Sequence, residues 1–451
     1  MPSHPPETRP VPLYDPTAIS DYTALWAKLL AEYPGGLVPV QLEPDPNVTG
    51  WLTITHAMTR HVMESPEFTR DARHWAALQA GRIPEDSPTL ANCGPRPNAL
   101  TSEGDLHLRY RSSLVNALEA NAKGGQGRVL NQIGLVADRI IDTFCEAGRV
   151  DLIPQYASYL PMLALCRLVG LNASEGVQLC TQMGRIWDGG PETAHAYGEL
   201  LSLLRTVART RRRNPGNDIA SHMINDGLTD EEVTYQVALV FATSQDPVAH
   251  LIGNTLAQLL RDFSAEHAGL FLQIPETINT ILWRDPPIRF VPGRWTTEPV
   301  ELGGYRLPPG ELLVLGFGPA HYDLLTTAAV DPRTSQVHLG WGAGRHRCPV
   351  TGRDTGLALA EVGVARLLRR LPDIKLEEGV DPDRLPRRLS VDVSGLSSLP
   401  VRFTPTAPID KGDPWRLSSL SGLTPAASTT ESQHERSGLL ARLLRLILPG
   451  N

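Results

Sequence analysis

The sequence is poor in several things, and each shortage excludes something. Lysine occurs only at positions 28, 123, 375 and 411 while arginine is abundant, a bias that reads as genome composition. The net charge is −7, so no overall positive field points to nucleic acid as a partner. Cysteines stand at 93, 145, 166, 180 and 348 with no CxxC pair, which speaks against a zinc module. Their odd number speaks against a disulfide framework. No stretch reaches the roughly 20 apolar residues of a membrane span. The opening residues also lack the apolar core of a signal peptide. These absences imply a cytoplasmic setting in a bacterium.

What is present is the composition of a soluble globular protein. Hydrophobic residues make up 41% and charged residues 20% of 451, enough for one large core or two ordinary ones. Residues 1–12 are rich in proline and without periodicity, and read as a flexible N-terminal arm. Val38 to Leu42 and Trp51 to Ile54 have strand composition. Apolar spacing predicts helices over Leu106 to Leu118, Val129 to Ala147, Ala194 to Arg212 and Thr229 to Asp262. The last opens on Thr229-Asp230-Glu231-Glu232, a capping-box pattern. From Ile288 to Gly318 short strands and turns return, marked by Gly303-Gly304 and Pro308-Pro309-Gly310. The fold class is therefore mainly α with a smaller β-rich part.

Two charged or apolar features carry a bland and a sharper reading. Arg209 and Arg211-Arg212-Arg213 precede Asn214-Pro215-Gly216 and read as a solvated helix end rather than a partner site. Residues 406–432 read as a flexible linker, with Ser418 to Ser432 rich in Ser, Thr, Gly and Ala. Residues 433–451 follow, with Ser437 to Leu448 forming a short apolar helix that carries two arginines. Such a helix lies on a membrane surface or docks in a protein groove, or else folds back on its own domain.

One stretch organises the rest: Trp341-Gly342-Ala343-Gly344-Arg345-His346-Arg347-Cys348-Pro349, followed by a helical run from Thr355 to Leu371. The glycines allow a tight turn and close approach to a flat ligand. Cys348 then lies near a helix N-terminus, which favours thiolate over thiol. A thiolate on a rigid loop is a candidate axial ligand for haem iron. The alternative is a buried cysteine beside a turn.

With its other landmarks the chain resembles the cytochrome P-450 family over roughly residues 13–405. The family's cysteine loop reads F-G-x-G-x-H/R-x-C-x-G. Gly342, Gly344, His346 and Cys348 fall in register with it, while Trp341 replaces the phenylalanine and Val350 the last glycine. The resemblance implies haem b, iron protoporphyrin IX, with Cys348 as its metal ligand. It further implies cationic partners for the two haem propionates: His107 and Arg111 in an H-x-x-x-R pattern, Arg294 after Pro292-Gly293, and His346. The histidine and arginine four apart share one helix face.

This sequence departs from the family in two places. The family's A/G-G-x-D/E-T reads here Thr243-Ser244-Gln245-Asp246-Pro247, so Asp246 keeps the acid and Pro247 replaces a threonine whose hydroxyl helps deliver protons. Asp246 is read as the proton carrier, with Ser244 or Gln245 holding a relay water, or as a carboxylate at a helix bend. Ahead of Asp285-Pro286-Pro287 the family's E-x-x-R ion pair is replaced by Thr280-Ile281-Leu282-Trp283. Loss of both partners together need not harm the fold, because no buried charge is stranded. A minority of actinobacterial members share this loss.

The implied activity is insertion of one oxygen atom into a small apolar molecule by a monooxygenase. Electrons would come from a separate ferredoxin and ferredoxin reductase. Two alternatives stay open: a peroxide-using or non-oxygen-activating haem-thiolate enzyme, and a non-catalytic haem protein acting with a partner at a membrane.

Overall fold

The computed structural model describes residues 9–14, 21–44, 47–122, 126–188, 193–262, 270–388, 390 and 392–409. The tail helix expected at 433–451 and most of the expected linker lie outside the described residues. The chain forms two compact units: Met1–Arg111 with Glu276–Pro349 and Arg388–Gly395, and Ser112–Pro275 with Val350–Arg387 and Leu396–Asn451. Among the described residues, helices dominate and strands are short, as the apolar spacing predicts.

The first unit is built on a six-stranded sheet in the order Val11–Pro12, Leu37–Glu43, Val48–Thr53, Leu312–Gly316, Phe290–Thr296, Phe68–Thr69. Leu312 to Gly316 is a continuous apolar run, buried at every position, as a central strand covered on both faces requires. It pairs parallel with Val48–Thr53 and antiparallel with Phe290–Thr296. One packed layer combines Val62, Met63 and Phe68 with Leu313, Leu315 and Leu339. Another joins Leu13, Trp26 and Leu29 to Val38, Val40, Leu52 and Phe290. Fully burying each such side chain contributes roughly 1.5–3 kcal/mol. Leu13 explains a difference from expectation. Its burial draws Val11–Pro12 into parallel pairing with Leu37–Glu43, so the N-terminal arm read as flexible to residue 12 is ordered from Val11.

The second unit is helical around Asp230–Asp262, a helix of 33 residues packed against Tyr159–Val169, Thr193–Arg213 and Val350–Arg370. Its start carries the capping box expected there. The Glu232 carboxylate accepts from the Thr229 N–H at 2.8 Å, and the Thr229 hydroxyl accepts from the Glu232 N–H at 3.3 Å. The helix predicted over Val129 to Ala147 runs from Gln126 to Asp142, and Thr143 to Gly148 turn into the strand Arg149–Asp151. Within this unit Arg370 grips Asp142 at 2.6 Å and Arg366 meets Asp138 at 3.2 Å.

Two charge and linker expectations are also revised. The Thr406 N–H donates to the Cys145 carbonyl and the Ile409 N–H to the Asp142 carboxylate, so residues 406–409 are docked rather than linker. Arg212 pairs with Asp230 at 2.6 Å and Arg205 with Glu231 at 2.9 Å, near the surface. Arg211 instead lies against Glu175 and Asp218, with only 15% of its side chain exposed, so it is part of the packing and not a solvated end.

Candidate active site

The cysteine loop is shaped by its own backbone. The Gly342 N–H donates to the Leu339 carbonyl, the Arg347 N–H to the Gly344 carbonyl, and the Cys348 N–H to the Trp341 carbonyl. Gly342 and Gly344 take φ values of 71° and 68°, the left-handed region that favours glycine. A Cβ at Gly344 would lie 2.5 Å from the Met63 carbonyl oxygen, so the loop's turn is pressed against the end of helix His56–Glu64. Cys348 is partly exposed at the end of this loop, and the next helix begins at Val350.

Four of the residues singled out as cationic partners come together in the first unit with this loop. His107 and Arg111 rise from the first turns of helix Gly104–Ala122. The His107 ring lies 4.3 Å, centre to centre, from that of His346. Arg111 donates through Nη1 to the Arg347 carbonyl at 2.8 Å. Arg294 comes from strand Phe290–Thr296 and is 3% exposed. Beside them opens a cavity of about 680 Å³, bounded by His107, Arg111, Gly344, Arg345 and Arg347 among others.

Glu103 and Arg70, which no local pattern marks, tie these groups together. The Glu103 carboxylate meets His346 Nε2 at 3.0 Å, accepts from Arg345 Nε at 2.8 Å, and accepts from the Arg70 backbone N–H at 2.7 Å. Burial alone would raise its pKa, but the contacts with His346, Arg70 and Arg345 hold Glu103 down to about 2. Burial pushes the His346 imidazole down to about 4, Arg294 and Arg70 adding to the push and Glu103 opposing it. His107 is lowered by burial first. Arg294 is lowered by burial and then by Arg70.

Several buried polar atoms here have no partner among the described residues: His107 Nε2, His346 Nδ1, Arg294 Nε and Nη1, and Arg70 Nε. Buried donors are normally satisfied, so such a cluster marks the place of a missing acceptor. A group bearing carboxylates beside the Cys348 loop fits this donor set. Haem, with two propionates and an iron open to a thiolate, is such a group.

The oxygen-side candidates belong to the second unit. Helix Asp230–Asp262 continues through Pro247. Gln245 is buried and donates to the Ser158 carbonyl at 3.4 Å, while its Oε1 has no partner among the described residues. Asp246 keeps 20% side-chain exposure and lies 3.8 Å from His250 Nε2, one turn further on. In the sequence His250 is marked only as a histidine four residues after an acid, a spacing too common to single it out.

The missing ion pair has a neutral replacement in the first unit. Trp283 is buried and donates from Nε1 to the Ser335 carbonyl at 2.9 Å. Its ring lies 5.2 Å from His321 and 5.9 Å from His338. His321 Nε2 accepts from the Leu339 N–H at 2.8 Å, at the start of the cysteine loop. Burial pushes the His321 imidazole well below its ordinary value, which suits an acceptor nitrogen. Asn279 adds donations to the Pro332 and Ser335 carbonyls at 2.8 and 2.9 Å. The end of helix Leu270–Arg284 is thus tied to the segment entering the loop without a buried charge.

A mainly helical chain with a glycine-turned cysteine loop beside orphaned cationic donors fits the haem-thiolate class. Known proteins agree, although no family model matches the chain. It is 27% identical over 373 residues to cytochrome P-450 107B1 of Saccharopolyspora erythraea, covering 78% of this chain and 89% of that one. It is 26% identical over 384 residues to the vitamin D(3) 25-hydroxylase of Pseudonocardia autotrophica, covering 81% and 91%. The solved structure of CYP154C4 from a Streptomyces species superposes with a TM-score of 0.76 at 26% identity, covering 87% and 98%. In sequence and in fold the chain is thus similar to bacterial cytochromes P-450. Among the described residues no helix is long and apolar enough to cross a membrane.

Proposed function

We propose that the chain is a haem b monooxygenase that inserts one oxygen atom into a small apolar molecule, using electrons from a separate ferredoxin and ferredoxin reductase. The observation that carries this reading is the set of partnerless buried donors on His107, Arg294 and His346 beside the Cys348 loop. In it, residues 13–405 form the haem-thiolate part and the protein works in the cytoplasm. The Cys348 thiolate holds the iron, and His107, Arg111, Arg294 and His346 receive the propionates. Bound haem supplies the activation of dioxygen.

The chain's own residues do the rest. The neutral tie of Trp283, His321 and Asn279 keeps the cysteine loop in place. Asp246, partly exposed and beside His250, carries protons inward from solvent, where the family's threonine hydroxyl is replaced by Pro247. The relative that hydroxylates vitamin D(3) supports apolar, ring-bearing substrates as the class to try first.

The test is turnover. Purified protein with a ferredoxin, its reductase and NAD(P)H is incubated with steroids and secosteroids, and products are read by mass. A product gaining one oxygen atom from ¹⁸O-labelled dioxygen is expected. Product formed only with added peroxide, and never with the reductase system, would overturn this reading.

A further inference from the structure

We infer that Arg70 is a positioning residue for haem: it clamps the bulge that aims Arg294 and adds a buried cation for the carboxylates Arg294 receives. This rests on the haem reading above but concerns a residue outside the family pattern found in the sequence. In strand Phe290–Thr296, Pro292 is opposite Val314 and Arg294 opposite Leu313, leaving Gly293 as the extra residue of a bulge. Gly293 takes φ 98°, and a Cβ there would lie 2.7 Å from Cys93 Cβ and 3.1 Å from Arg70 Nη1. Arg70 Nη1 donates to the carbonyls of both Pro292 and Gly293 at 2.9 Å. The peptide preceding Arg294 is therefore fixed by Arg70 and not by sheet pairing.

Charge makes the same point independently. Arg70 and Arg294 are 6% and 3% exposed, and Arg345 lies alongside, yet among the described residues no carboxylate hydrogen-bonds either buried guanidinium: Glu103, the nearby acid, accepts from the Arg70 backbone N–H and from Arg345 Nε. Two buried guanidiniums sharing one counter-ion are unfavourable until another anion arrives. Arg70 Nε and Arg294 Nε and Nη1 have no partner among the described residues, which leaves donors for that anion. An arginine serving only to hold the strand would need neither the surplus charge nor the idle donors.

The test compares wild type, R70Q and R70K. Haem release is followed by transfer to excess apomyoglobin, and stability by urea unfolding of the haem-free proteins. R70Q keeps a donor for one carbonyl but loses the charge, and should release haem about tenfold faster or more, as loss of a buried charged partner does. R70K keeps the charge and loses the fork, and should release it about threefold faster. The haem-free R70Q should unfold at the wild-type urea concentration or above, because like charges no longer face each other. Wild-type release rates in whichever variant folds would overturn the inference. So would faster release matched by an equal loss of stability in the haem-free protein, which marks a merely structural arginine. A wild type that takes up no haem is a different result, and sinks the functional reading itself.

Discussion

Glu103 and His346 meet at 3.0 Å, and that contact sets how the cysteine loop is held. The same carboxylate takes Arg345 at 2.8 Å, so one acid anchors two residues lying two and three positions before Cys348. His346 is left with Nδ1 directed to no protein partner among those described. Orientation by a second hydrogen bond is how a histidine is usually fixed toward its ligand.

Replacing Glu103 by glutamine keeps the shape and removes the charge. In the haem-free protein, E103Q should lower stability at pH 7 by about 1 kcal/mol, a value discounted for the partial exposure of the acid. The pKa of Glu103 is depressed from its ordinary 4.5 to about 2, so its contribution is full above 4.5 and lost as pH falls toward 2. Urea unfolding of both proteins at several pH values should show their difference shrinking across that window. A difference independent of pH would contradict the assigned role.

Trp283 carries the burden of the absent ion pair. W283A should cost about 3–5 kcal/mol, chiefly from lost packing, since the Ser335 carbonyl keeps its bond from Asn279. W283F, which keeps the ring and loses the donor, should cost about 1 kcal/mol. Thermal unfolding checks both, and near-equal losses would mean that the hydrogen bond is irrelevant.

His321 adds an acid limit. Its pKa is held well below the ordinary 6.5, so the unfolded chain takes up the proton first, and stability falls as pH drops below 6.5. H321Q should flatten this part of the stability–pH curve, although other histidines contribute to it. An unchanged slope in H321Q would remove His321 from the account.

Much of this was legible from sequence wherever spacing is local. The glycines before Cys348, the four-residue step from His107 to Arg111, and the Thr229 to Glu232 box each lie within one turn or one helix. The rest depends on which strands pair. Arg70 reaches Gly293 because Thr69 is paired with Trp295, a register that no window of sequence contains. Arg211 reads as a surface charge until Asp218 and Glu175 fold against it. The neutral tie around Trp283 draws on residues 279, 283, 321, 335 and 339 at once, so only the loss of the charges was visible beforehand.

Pro247 and Asp246 predict opposite responses. P247T restores an N–H and a hydroxyl, and should raise stability by about 1–3 kcal/mol while increasing product formed per NAD(P)H consumed. D246N should slow reductase-driven turnover by about a hundredfold and peroxide-driven turnover far less, because peroxide arrives with its protons. Equal losses by both routes would place Asp246 in structure and not in proton delivery.

The central claim is that Cys348 supplies a thiolate to haem iron, and the reduced, CO-bound difference spectrum reads this ligand directly. Wild type should show the red-shifted Soret band that gives the family its name, and C348S should lose it while remaining folded by circular dichroism. A C348S protein that keeps the band, or a wild type that binds haem and never shows it, would contradict the assignment.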